Sequence, residues 1–200
     1  MEPDLVNDKF TPSSKLNFII GMCAMLISVA SFYATYLQAN SAEQQVKAMT
    51  YPLIQHQTNN YSIQTREEAI SFVLSNNGVG PAIIRKVEYR FEGKIFRSVH
   101  EFISACCGDE FKAFNDIQGT DKSISDASII TASDRNIILP ANDSTQTFYL
   151  LKHESNILLW NALNKARRKL NATICYCSLL ENCYESKRVG KVEEVQSCDA

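Results

Sequence analysis

The sequence predicts an α+β, mainly β protein: an N-terminal transmembrane helix, then an antiparallel β-sandwich-like domain with one or two inserted helices. Three observations carry this reading. Leu16 to Ala39 runs 24 positions without a charged residue. Beyond Tyr51, apolar and polar residues alternate in short runs separated by Asn, Gly and Pro, the pattern of half-buried antiparallel strands. Six of the seven cysteines follow residue 100, as expected of a domain cross-linked outside the cytosol.

The leader 1–15 holds three acids and two lysines and is expected to be a short cytoplasmic tail. Residues 16–39 follow as a helix of roughly 36 Å, enough for a hydrocarbon core of about 30 Å. A cleaved signal peptide has a shorter apolar region, about 7 to 15 residues behind a basic start, so an uncleaved signal-anchor is the better reading. Lys9 and Lys15 precede the span and only Lys47 follows it closely, which favours a cytoplasmic N-terminus. Residues 40–50 remain compatible with a helical stalk, which Pro52 ends because it lacks an amide donor.

Within the span Asn17, Gly21, Ala24, Ser28, Ser31, Thr35 and Gln38 recur at steps of four and three. That spacing keeps them on one helical face, while Phe18, Ile20, Leu26 and Phe32 lie elsewhere and suit lipid. Small residues let helices approach closely and polar ones can hydrogen-bond across the contact. The expected partners are therefore the lipid bilayer and another membrane helix, in a homo-oligomer or a partner protein. Charge is nearly balanced, 20 basic against 22 acidic residues, so nucleic acid is not expected. Lys165, Arg167, Arg168 and Lys169 read as the solvated end of a helix.

Residues 51–200 form the expected extracytoplasmic β-rich domain. "YPLIQHQT" opens it, and "AISFVLSN" sets Ile70, Phe72 and Leu74 against Ser71, Val73 and Ser75. "NNGVGPA" is a turn, with Asn and Gly tolerating positive φ and Pro81 fixing the exit. "IIRKVEYRFEGK" is a second strand whose alternation fails at Arg85, marking a bulge or an edge. "SVHEFISACC" predicts a short helix with a capping box of Ser98 and Glu101. Residues 108–134 are polar and predict a long surface excursion. "NIILPAND" and "STQTFYLLK" are two strands around a turn. "SNILLWNALNKARRKL" is a helix capped by Ser155, with Leu159, Leu163, Ala166 and Leu170 on one face. "ATICYCSLL" and "CYESKRVGKVEEV" finish as a hairpin-like pair.

"NNGVGPAIIRKVEYRFEGK" and "ICYCSLLENCY", behind an N-terminal span, resemble a loose group of uncharacterised bacterial single-pass proteins with a small extracytoplasmic β-rich domain. Tyr184 stands where such proteins often carry a tryptophan. The resemblance implies a bacterial inner-membrane location with a periplasmic C-terminal domain, and no activity.

The cysteines Cys106, Cys107, Cys175, Cys177, Cys183 and Cys198 are the candidate disulfide residues. Neighbouring Cα atoms lie about 3.8 Å apart, below the usual lower limit of about 4.4 Å, so Cys106 and Cys107 are expected to seek different partners. Cys175 and Cys177 lie about 6.6 Å apart along a strand and are not expected to pair. Cys177 with Cys183 closes a short strand-loop-strand and is the first expected bridge. Cys175 then reaches Cys106 or Cys107, and the remaining thiol takes Cys198. Zinc ligands favour Cys-x2-4-Cys pairs, which "CYC" and the following five-residue gap do not supply. His100 near Cys106 and Cys107 makes a mixed site conceivable, but His56, His100 and His153 read as surface or half-buried residues. A thioredoxin-type motif is absent.

No Gly-x-Ser-x-Gly, His-Glu-x-x-His or phosphate-binding glycine loop occurs, and "GVG" at 78–80 lacks a third glycine. No catalytic residue, cofactor or metal is expected. The sequence points to a non-catalytic, membrane-anchored accessory or interaction subunit that assembles through its transmembrane seam and β-domain. The alternatives are a periplasmic enzyme, a thiol oxidoreductase or hydrolase with an unrecognised site, or a ligand-sensing module that signals through a partner.

Overall fold

With no charge between Leu16 and Ala39 and no proline between Pro12 and Pro52, one helix runs unbroken as α1 (Ser14–Met49). The computed structural model describes residues 14–120, 128–187 and 191–198. It divides into two units, Met1–Ala48 and Met49–Ala200. In the first, α1 is long and apolar enough to cross a membrane, and its described side chains are exposed throughout. The expected tail lies outside the described residues as far as residue 13.

In the second unit the chain forms β1 (Ile54–Asn59), β2 (Ala69–Asn76), β3 (Ala82–Phe91) and β4 (Lys94–Phe96), then helices α2 (Val99–Cys106) and α3 (Gly108–Thr120). Next come β5 (Ile129–Thr131), β6 (Ile137–Leu139) and β7 (Ser144–Leu151). Helix α4 (Ile157–Ala166) is flanked by 3-10 turns at Glu154–Asn156 and Arg167–Lys169. The strands β8 (Asn171–Ser178), β9 (Cys183–Lys187) and β10 (Val192–Val195) follow.

Among the described residues all strand pairs are antiparallel. One sheet has the order β1-β2-β7-β5 and the other β10-β9-β8-β3-β4. In the second sheet β6 pairs with Ala82–Ile84 and β4 with Tyr89–Phe91, so the two share the edge of β3 that β8 leaves open. Ile70, Phe72 and Leu74 of β2 join Ile84, Val87 and Tyr89 of β3 and Ile174 and Tyr176 of β8 in one apolar cluster. Helices α2 and α4 add Phe102, Ile103, Leu159 and Leu163 to that cluster. This is an α+β, mainly β architecture of two antiparallel sheets with inserted helices.

The failed alternation at Arg85 is a bulge: the pairing of β3 with β8 shifts between Ile84 and Lys86. One extra residue lets Ile84 and Val87 both face the core and turns Arg85 outward. A second irregularity lies between Phe72 and Val73 opposite Thr147, whose buried hydroxyl donates to the Phe72 carbonyl at 3.3 Å.

Four local expectations change. The predicted surface excursion is largely helix up to Thr120, because Cys107, Phe111 and Phe114, spaced at helical intervals, enter the core; residues 121–127 lie outside the described residues. The strands β6 and β7 flank a turn as expected but join different sheets. Ser155 does not cap α4, since it sits inside the preceding 3-10 turn. The turn is capped by His153, and Asn156 accepts the His153 N–H at 3.0 Å while donating to the Leu151 carbonyl at 2.8 Å. At the other end Arg167 is not simply solvated: it donates to Asn164 Oδ1 at 2.8 Å and to the Thr58 carbonyl at 3.1 Å, tying α4 to β1. Half of the expected capping box on α2 forms: Ser98 Oγ accepts the Glu101 N–H at 3.2 Å. The Glu101 carboxylate accepts the Arg97 N–H at 2.8 Å, one residue ahead of the usual partner.

The turn after β2 gathers three chain segments around Asn76, which is 1% exposed. Its Oδ1 accepts the N–H groups of Leu53 at 3.1 Å and Gly78 at 3.0 Å. Its Nδ2 donates to the carbonyls of Gly80 at 2.8 Å, Pro140 at 3.0 Å and Leu139 at 3.2 Å. The glycines serve close approach rather than positive φ, which no residue of this turn adopts. A Cβ on Gly78 would lie 2.4 Å from the Leu53 nitrogen, and one on Gly80 would lie 2.0 Å from the Thr50 carbonyl oxygen. Asn76→Ala and Gly80→Ala should each destabilise the domain by about 3 kcal/mol or more. Val79→Ala, on the exposed tip of the same turn, should stay within about 0.5 kcal/mol. Urea unfolding of the three variants checks the ranking, and a tolerated Gly80→Ala would disprove the close approach.

Candidate functional site

Strand period decides where the cysteines of β8 can go. Successive side chains point to opposite faces, so Ile174 and Tyr176 enter the core while Cys175 and Cys177 face away from it. On that outer face they meet Cys183, which opens β9 directly opposite Cys177, and Cys198, which follows β10. The turn between the strands is held by Ser178 N–H to the Asn182 carbonyl at 2.8 Å and Glu181 N–H to the Ser178 carbonyl at 3.1 Å.

The expected Cys177–Cys183 bridge is present, with Cα atoms 4.0 Å apart. The other expected pairings are corrected. Cys175 bonds Cys198, with Cα atoms 5.6 Å apart, and Cys106 bonds Cys107. Cys175 lies on the outer face of its sheet, whereas Cys107 packs into the core on the helical side, so the two sets do not meet. The exclusion of Cys106–Cys107 rested on the usual Cα range, and this neighbouring pair closes at 3.8 Å, outside it. Cys23, within α1, is the free cysteine.

Two sulfur centres result. In the tail centre the two disulfides touch: Cys177 Sγ lies 3.8 Å from Cys198 Sγ, and the sulfurs of Cys177, Cys183 and Cys198 all lie within 4.8 Å of one another. These three residues line a cleft of about 380 Å³, with Leu179 and the bulge residue Arg85 at its wall. A guanidinium in such a cleft favours any thiolate released there. The sulfurs are bonded in disulfides, whereas metal ligation requires thiolates, so in this form the cluster is not a metal site.

The second centre sits at the junction of α2 and α3. Cys106 ends α2, and Cys107 donates its N–H to the Ile103 carbonyl at 3.0 Å while its own carbonyl accepts the Phe111 N–H at 2.8 Å. Cys107 is buried and Cys106 half-exposed.

None of the histidines joins either centre. His100 packs edge-on against Phe111, with ring centroids 5.2 Å apart. His56 lies between the rings of Phe72 and Tyr89, at 5.7 and 5.8 Å, and burial pushes its pKa down to about 4, so it is neutral near pH 7. His153 Nδ1 lies 2.8 Å from Ser155 Oγ, but this exposed contact between residues two apart belongs to the helix cap. The buried Tyr89 hydroxyl donates to Asp134 at 2.9 Å, bracing β3 against the segment before β6, and burial raises its pKa. No serine hydrolase geometry arises among these groups.

Comparison of the chain with protein-family models, curated proteins and solved structures found no match. The chemistry of the site therefore rests on its own geometry.

Loop length separates the roles of the bridges. Cys175–Cys198 spans 23 positions and removes about 3 kcal/mol of chain entropy from the unfolded state, and Cys177–Cys183 about 2 kcal/mol. Cys106–Cys107 encloses no intervening residue and constrains no distant contact. Replacing Cys175 and Cys198 together by alanine should lower unfolding free energy by about 3 kcal/mol. Replacing Cys106 and Cys107 should cost only about 1 kcal/mol of lost packing. Equal costs in denaturant titration would refute this division.

Proposed function

We propose that this chain is a single-pass, membrane-anchored protein of a bacterial inner membrane whose periplasmic β-rich domain carries out thiol–disulfide exchange at the tail centre. The observation that carries the reading is the 3.8 Å contact between Cys177 Sγ and Cys198 Sγ, two sulfurs of different disulfides on one cleft. Orientation is supported by the two lysines ahead of the span and by the need of disulfides for an oxidising compartment.

The exchange uses a partner dithiol. Its thiolate attacks Cys183 Sγ, the Cys177–Cys183 bond breaks, and Cys177 leaves as a thiolate. The partner's second thiol gives up its proton and attacks the partner sulfur of the mixed disulfide. The partner departs oxidised and Cys183 departs as a thiolate that takes up the proton. The Cys177 thiolate then attacks Cys198 Sγ, forming Cys177–Cys198 and releasing Cys175, which is protonated from solvent. Short sulfur separation makes this second step intramolecular and fast relative to attack from solution.

Treatment of the Cys106→Ala/Cys107→Ala variant, in which only the two tail bridges remain, with one equivalent of a dithiol, followed by alkylation and peptide mapping, tests the relay. The expected product contains a Cys177–Cys198 bridge with Cys175 and Cys183 alkylated. Independent loss of the two original bridges, with no such isomer, would rule it out.

An accessory-subunit role for the anchor is a second reading, favoured by the one-sided placement of the seam residues Asn17 to Gln38 on α1. Ser28 Oγ and Thr35 Oγ1 donate to the carbonyls of Ala24 and Ser31, at 2.8 and 2.9 Å, so their polarity is met within the helix and their small size is what a partner helix meets. Replacing Gly21 and Ser28 by leucine should weaken helix association several-fold in a membrane two-hybrid assay. An unchanged signal would remove the seam as an interface.

A further inference from the structure

The bridge between Cys106 and Cys107 needs a different explanation from the other two. With a sequence separation of one, it shortens no loop in the unfolded chain, so the entropic account of a disulfide staple gives it almost nothing. Its two sulfurs also have unequal surroundings. Cys107 is 1% exposed, whereas Cys106 lines a cleft of about 590 Å³ between the α2–α3 junction and α4. Phe91, Leu158 and Ala162 supply apolar walls to that cleft, and Glu92, Glu110, Lys165 and Lys169 add two charges of each sign.

The helices make the two sulfurs chemically distinct. Cys107 immediately precedes α3, a 13-residue helix, and its carbonyl accepts the Phe111 N–H that starts the helical ladder. A thiolate at such a position is favoured by the helix N-terminus, although Asp109 and Glu110 in the first turn oppose it. Cys106 is therefore the sulfur that a nucleophile reaches, and Cys107 the sulfur that leaves.

We propose that Cys106–Cys107 is a second exchange site, reduced by a thiolate that enters the cleft beside α4. The incoming thiolate bonds to Cys106 Sγ as the Cys106–Cys107 bond breaks, and Cys107 leaves with the electron pair as a thiolate. A second thiol then gives up its proton and attacks the incoming sulfur. Cys106 leaves as a thiolate and takes that proton, so two thiols become one disulfide and the pair gains two electrons. The shared chemistry of the ligand is an unhindered thiolate, supplied by a small thiol or by a cysteine in an extended polypeptide. The site is distinct from the tail centre and does not depend on the Cys177–Cys198 relay.

The test uses the full-length protein in detergent, with glutathione and a cysteine-containing decapeptide as the two probes. Samples are quenched by alkylation, and each of the six cysteines outside α1 is followed by peptide mapping. Cys106 and Cys107 are expected to become alkylated before any tail cysteine, with a mixed disulfide on Cys106 and none on Cys107. Ala105→Trp and Leu158→Trp, both at exposed helical positions on the cleft, should slow this reaction about tenfold by limiting access, and leave tail reduction unchanged. Faster reaction with glutathione assigns the small thiol as ligand, and faster reaction with the peptide assigns a protein cysteine. Reduction of the tail disulfides first, a mixed disulfide on Cys107, or no slowing in both tryptophan variants would overturn the proposal. Failure of the tail relay with normal reduction at Cys106 would leave this site standing, and the converse result would leave the relay.

Discussion

A single buried amide organises the β-domain. Asn76 has one carbonyl and one amino group, and in this position both are used: two backbone donors reach the oxygen and three backbone carbonyls surround the nitrogen. The groups it joins come from the segment entering β1, from its own turn, and from the loop between β6 and β7. Because β6 belongs to one sheet and β7 to the other, the amide pins the place where the two sheets exchange chain. Only an unbranched turn can come this close to the entering segment, which is why Gly78 and Gly80 face backbone atoms of residues 50–53. A buried polar group with all its bonds made specifies geometry; the same group with bonds missing would oppose folding.

The sheet geometry then sorts the cysteines. Strand alternation sends Cys175 and Cys177 outward, where β9 and the tail supply partners, and helix packing holds Cys107 inward. Two of the three bridges secure the last strands, adding covalent links to the ladders that β9 makes with β8 and β10. Their sulfurs nevertheless crowd together at a cleft, and the bulge in β3 turns Arg85 toward the same opening. The remaining bridge holds no distant segments together and lies beside the cleft between the helices. How much each bridge stabilises thus follows from the length of chain it closes, and which groups surround it follows from where the pair sits relative to the core.

The anchor and the cysteines support each other in the proposed reading. An apolar helix such as α1 restricts the domain to a membrane surface, and disulfides persist where the compartment is oxidising. In that proposal, tethering raises the effective concentration at which the domain meets any partner held in the same membrane.

Much of this was legible in the residues. The uncharged run specified α1, alternation specified β2, and the break at Arg85 marked the bulge, because these signals are local consequences of hydrophobic period and backbone sterics. The spacing of Cys107, Phe111 and Phe114 could have disclosed α3, but the surrounding polar residues masked it. Cys177 and Cys183 could be paired from sequence because a short turn brings them together. The partners of Cys175 and Cys106, the sheet assignment of β6 and β7, and the hub at Asn76 were not legible. Each depends on which face of an element meets which distant segment, and that is settled only when the sheets and helices pack around a common core.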